Sequence, residues 1–172
     1  MASALFREGR FVQAFPAFGV ERRGAPVTAF LRVSTDPILL RCEITEPEGL
    51  IVLDPTLIEA VDVTAGLADH GSILINSAHR PEHYGELLRR FHVATVDATA
   101  IALWNGLGSK TQPIVNTAIL GAFAADTGIV KLESIYEAIA EKVPSNPAAN
   151  VLAAREAARV LVRPQPLEVQ HV

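Results

Sequence analysis

Short apolar runs punctuate the first two thirds of the chain, and each stops at a polar residue. Leu50-Ile51-Val52-Leu53 ends at Asp54, Ser72-Ile73-Leu74-Ile75 at Asn76-Ser77, Phe91 to Val96 at Asp97, and Pro113-Ile114-Val115 at Asn116-Thr117. Continuous runs rich in β-branched residues, without alternation, predict strands covered on both faces. Helical patterns lie between them. Asp54 reads as an N-cap with Pro55 at the first helical position, and Leu57, Val61 and Thr64 carry that helix toward Gly66. A short helix is expected over 82–90, and a better one over 98–106, led by Asp97. The strand–helix alternation predicts an α/β domain with a mostly parallel sheet.

The two ends of the chain have other patterns. Ala118 to Asp126 is small and apolar, as in a buried helix. Leu132, Ile135 and Ile139 mark an amphipathic helix starting near Lys131. Asn146-Pro147 opens a third, with Val151, Ala154, Ala158 and Leu161 along one stripe. Pro164 and Pro166 end it, and residues 164–172 read as an extended tail that orders only on a partner. At the front, Phe11 to Phe15 and Val27 to Val33 resemble two strands. The connector Pro16 to Pro26 combines aromatics, Arg22-Arg23 and the flanking Gly19 and Gly24. Ile38 to Ile44 is apolar and strand-like, which makes Cys42 a small core residue.

Composition narrows the class. A length of 172 residues, with 49% hydrophobic and 20% charged, describes one folded domain and excludes a disordered chain. The formal charge is −4, from 15 basic against 19 acidic residues, which argues against nucleic acid as a partner. The one cysteine can form neither an internal disulfide nor a multi-cysteine cluster site. No apolar run reaches the length of a membrane span, and Met1 to Arg10 lacks a signal-peptide core, so a cytoplasmic setting is expected.

Candidate chemistry concentrates at strand ends, where an open parallel sheet takes ligands. Asp54 and Asp97 are read as helix caps. Asn116-Thr117 would place free N–H groups at the start of a helix of small residues, a site that attracts anions. Arg22 and Arg23 could clamp a phosphate or carboxylate, or form a solvated turn paired to Glu21. The histidines show no metalloprotease spacing, and Pro81 disrupts the pair His79 and His83. Neither a Gly-x-Ser-x-Gly elbow nor a phosphate loop occurs. Trp104 and Tyr136 fall on helical patterns and are expected to pack. A well-built α/β domain without a complete active site points to a subunit.

The residues Ala14-Phe15-Pro16-Ala17-Phe18-Gly19-Val20-Glu21-Arg22-Arg23-Gly24-Ala25-Pro26-Val27 resemble the signature loop of the gamma subunits of pyruvate (2-oxoacid):ferredoxin oxidoreductases. Ile51-Val52-Leu53-Asp54-Pro55, Val96-Asp97-Ala98-Thr99 and Pro113 to Phe123 resemble that family's later landmarks, in order, and are followed by Gly128-Ile129-Val130. The resemblance spans residues 1–163. It implies a Rossmann-like three-layer sandwich with C-terminal helices. It also implies a multi-subunit enzyme that oxidatively decarboxylates a 2-oxoacid with coenzyme A to an acyl-CoA and CO2, with electrons passing to ferredoxin. Thiamine diphosphate and iron–sulfur clusters would sit on alpha-, beta- and delta-type partner subunits, and this chain alone would be inactive. Matched onto the family pattern, Arg22, Arg23 and Gly24 of the loop, with Asn116 and Thr117 at the helix start, would face the coenzyme A phosphates or a neighbouring subunit. One departure stands out. Met1 to Gly9 resembles the end of the family's first helix, so the N-terminal strand and glycine-rich loop are expected to be missing, leaving two open sheet edges. The competing readings are a free-standing Rossmann-type nucleotide-binding oxidoreductase and a pure interaction module. Against the former stands the lack of a Gly-x-Gly-x-x-Gly after any strand.

Overall fold

The structure, a computed structural model, describes residues 1–17, 27–40 and 42–165. Helix α1 (Ala2–Arg7) leads into an antiparallel ribbon of β1 (Phe11–Ala17) and β2 (Thr28–Ser34). The central sheet follows: β3 (Gly49–Val52), β4 (Ser72–Asn76) and β5 (His92–Val96), parallel and in that spatial order. Ile51 pairs with Leu74, and Leu74 with Ala94. Helix α2 (Leu57–Ala60) lies in the first crossover. A 3-10 turn, Pro81–Tyr84, and α3 (Gly85–Leu88) lie in the second. Helix α4 (Ala98–Trp104) and a small antiparallel pair, β6 (Gly108–Ser109) with β7 (Gln112–Pro113), lead to α5 (Ala118–Thr127), α6 (Leu132–Lys142) and α7 (Pro147–Val160).

The period-2 alternation of a strand explains the three layers. Leu74, Ala94 and Val96 point to one face and pack with Ile101, Ile119, Ala122, Ala153 and Ala157 from α4, α5 and α7. Ile73, Ile75 and Val93 point to the other and pack with Val52, Leu67 and Phe91, flanked by Ile58, Leu87 and Leu88. Both faces are covered, as the unbroken apolar runs predict. A further core joins Leu5 of α1 to Ile135 and Ile139 of α6, with Val12, Leu31 and Val33 from one face of the ribbon. The Glu8 carboxylate fastens this unit by accepting the Lys131 N–H at 2.8 Å, at the start of α6. Bonds from the Ser134 side chain and the Lys131 backbone hold the Glu8 carboxyl below the usual carboxylate range.

Helices α5 and α7 meet through small residues. Ala118, Ala122, Ala153, Ala154 and Ala157 are all 0% exposed. Gly121 lies so close to α7 that a Cβ there would overlap the Ala154 carbonyl. The buried stripe of α7 runs through Asn150, Ala153, Ala154 and Ala157, turned slightly from the predicted stripe of Val151, Ala154, Ala158 and Leu161.

Several expectations are corrected. The helix expected from Asp54 to Gly66 is a single turn. Val61 is extended (φ −142°), and the Asp62 carboxylate draws the Thr64 N–H and hydroxyl into a local turn at 3.1 and 2.8 Å. A β-branched residue beside a side chain that competes for backbone donors ends the helix early. Pro113-Ile114-Val115 does not join the parallel sheet. Gly108, at φ +85° with no room for a side chain, turns the chain into the β6–β7 hairpin instead. Among the described residues of 38–44 there is no strand, and Cys42 is exposed rather than core. Trp104 is 87% exposed rather than packed. The β5 edge is not open along its length, because Val162 bridges Thr95 there. Of the expected tail, residues 166–172 lie outside the described residues.

Candidate functional site

Asn116 and Thr117 sit where the β6–β7 hairpin gives way to α5, and the structure sends their side chains to different tasks. The Thr117 hydroxyl is buried and donates to Asn150 Oδ1 at 2.5 Å. The Asn150 amide donates to the carbonyls of Ser145 and Asn146, at 3.2 and 2.9 Å. This network locks the start of α5 to the start of α7. Thr117 therefore works inward. Asn150, 3% exposed, is the residue that sequence reasoning missed. Its signal was faint: one amide inside a helix of alanines, four residues after the Asn146 that opens it.

Asn116 is exposed and lines a cleft of about 410 Å³ between the two helix starts, with Lys142 and Ser145 beside it. The N–H groups of Asn116, Thr117 and Ala118 have no hydrogen-bond partner among the described residues. Two helix dipoles thus present their positive ends to one small cleft. Its volume falls in the range of small-molecule sites. A larger groove, about 510 Å³, runs between α1 and the end of α6, lined by Phe6, Arg7 and Glu141, and holds none of the residues singled out from the sequence.

The carboxyl ends of the parallel strands are committed to structure. Asp54 Oδ1 accepts from the Thr56 N–H and hydroxyl at 3.0 and 2.7 Å, making a turn. Asp97 caps α4 by accepting the Ala100 N–H at 2.8 Å, as expected. Asn76 is buried and ties three elements together. Its amide donates to the Leu53 carbonyl at 2.9 Å and to Thr99 Oγ1 at 3.0 Å, while its Oδ1 accepts the Thr99 N–H at 3.2 Å. This side chain fills the place where an open α/β sheet otherwise receives a ligand.

Arg22, Arg23 and Gly24 lie outside the described residues. The rings of His79 and His83 stack at 4.2 Å. Among the described residues, no group of three His, Cys, Asp or Glu side chains could hold a metal ion. No helix among them is long and apolar enough to cross a membrane.

Comparison with known proteins decides between the open readings. The family model described as pyruvate ferredoxin/flavodoxin oxidoreductase matches residues 1–160. The chain belongs to this family. It is 52% identical over 160 residues to the pyruvate/ketoisovalerate oxidoreductases common subunit gamma of Pyrococcus furiosus, covering 91% of this chain and 84% of that one. It is 50% identical over 139 residues to the pyruvate synthase subunit PorC of Methanosarcina barkeri, covering 81% and 73%. The crystal structure of the Thermotoga maritima pyruvate oxidoreductase subunit PORC superposes with a TM-score of 0.74 at 31% identity, over 93% of this chain and 85% of that one. Within the family this is a gamma-type subunit of a multi-subunit oxidoreductase, and the reading as a free-standing nucleotide-binding enzyme is set aside. All four ordered blocks of the sequence resemblance fall inside the matched span.

Proposed function

We propose that this gamma-type subunit serves a cytoplasmic 2-oxoacid:ferredoxin oxidoreductase, with pyruvate as a substrate, by supporting assembly and shaping the coenzyme A environment. The reaction is oxidative decarboxylation of the 2-oxoacid with coenzyme A to acyl-CoA and CO2, with electrons passing to ferredoxin. The observation that carries the reading is the extent and identity of the match to named gamma subunits. The donor chemistry agrees. An iron–sulfur cluster takes several cysteine thiolates, and this chain has one cysteine. In this reading the clusters sit on the alpha-, beta- and delta-type partner subunits, and the family resemblance implies the same for thiamine diphosphate.

Coenzyme A carries phosphates, and the cleft offers what an anion seeks. Asn116, the unpaired N–H groups at the start of α5, and Lys142 would orient a phosphate without supplying any bond-making group. Arg22 and Arg23, on the loop that resembles the family signature, would add bidentate contacts, with Gly24 allowing close approach. The exposed Trp104, two residues before the cleft-lining Gly106, supports docking of a partner subunit beside the cleft.

The test is charge reversal in the assembled complex. Arg22→Glu with Arg23→Glu is expected to raise the KM for coenzyme A by about tenfold with kcat nearly unchanged, the pattern of lost ground-state binding. Subunit stoichiometry, followed by light scattering, reports assembly separately. Intact assembly with an unmoved KM would show that the loop does not face the ligand.

A further inference from the structure

The segment after α7 does something that the family assignment does not address. Thr95 and Val162 exchange both backbone hydrogen bonds, each at 2.9 Å, so residues 161–165 run antiparallel along the outer edge of β5. The His92 N–H bonds to Gly71, and the Val96 carbonyl accepts from Ser77, both on the β4 side. Val93 and Thr95 therefore turn their backbone groups outward. In an antiparallel ladder the next bonded pair lies two residues along each strand, which sets Val93 opposite Pro164. Proline has no N–H to give, so the ladder stops after one pair.

The strap is fastened at two further places. The Arg163 guanidinium donates to the Asp126 carboxylate at 2.9 Å and to the Ala125 carbonyl at 2.7 Å, at the end of α5. The Gln165 N–H donates to the Glu82 carboxylate at 3.1 Å, on the 3-10 turn. Three separate anchors hold a stretch of five residues with no regular structure of its own. Beneath it, Thr95 is 1% exposed. An apolar parallel strand with an open edge is a template for another strand, and natural sheets blunt such edges with prolines and short covering segments.

We infer that Leu161–Gln165 is an edge guard that closes β5 at Thr95 and, through Pro164, denies the rest of that edge to a strand from a second copy of this chain. The test compares the full chain with one ending at Leu161, by light scattering over a concentration series and by amide exchange. The shortened chain is expected to gain mass with concentration where the full chain does not. At the dilute end, its Thr95 amide should exchange about tenfold faster, the loss expected for one local hydrogen bond. Pro164→Val should lengthen the ladder by one pair and slow Val93 exchange by about tenfold. If the shortened chain does not fold, Val162→Pro decides, since it removes the N–H that the Thr95 carbonyl accepts and leaves the Arg163 and Gln165 anchors; a mass that stays constant over the concentration series then overturns the inference. Unchanged mass in the shortened chain, or association with Thr95 still slow when dilute, overturns it too.

Discussion

Gly121→Ala is expected to lower the stability of the chain by about 3 kcal/mol or more, the upper range for forcing a methyl into a packed core. On propensity alone the substitution should help, because alanine is the better helix former by about 1 kcal/mol. Packing decides otherwise. The added Cβ would overlap the Ala154 carbonyl, a backbone atom of a facing helix that cannot rotate away as a side chain can. Helices α5 and α7 would have to part, and the sheet-facing core around Ile119, Ala122, Ala153 and Ala157 would open with them. Urea unfolding followed by circular dichroism measures the effect. A midpoint at or above that of the wild-type chain would mean that the two helices do not approach as described.

Asn150→Leu should cost about as much by a different route, on the order of 3 kcal/mol. Leucine has the branched outline of asparagine, carries no polar atom and suits a buried helix position. Yet the substitution strands the buried Thr117 hydroxyl and removes the amide that donates to the Ser145 and Asn146 carbonyls. Thr117→Val introduced with it should recover part of the loss, because an apolar pair leaves fewer orphaned groups than a half-broken network. In the assembled complex, Asn150→Leu is also expected to raise the KM for coenzyme A, since it frees the start of α5 from the start of α7. Equal stability of Asn150→Leu and the wild-type chain would remove the network from the account.

These two positions show where sequence reasoning reaches its limit. The buried strands β4 and β5 were legible because unbroken apolar runs such as Ser72 to Ile75 have one stable use in an α/β domain. The three C-terminal helices were legible from period and caps. What failed depended on partners distant in sequence. Cys42 lies in an apolar stretch, but Arg32 draws its carbonyl at 3.2 Å into an exposed segment. Trp104 has helical spacing, but α4 ends with it and the ring projects outward. Asp54 has the look of a cap, but Thr56 claims it for a turn. At the candidate site, Asn116 was readable as an exposed donor at a helix start. The side chain of its neighbour Thr117 turns inward to Asn150, 33 residues later, a partner that only the fold reveals.

Reconstitution tests the central claim most directly. The isolated chain, supplied with pyruvate, coenzyme A and a viologen acceptor, is expected to reduce no dye. The partner subunits purified without it should show impaired coenzyme A-dependent turnover, restored when the chain is added in equal amount. Pyruvate-dependent viologen reduction by the chain alone, or full activity of its partners in its absence, would contradict the role assigned to it.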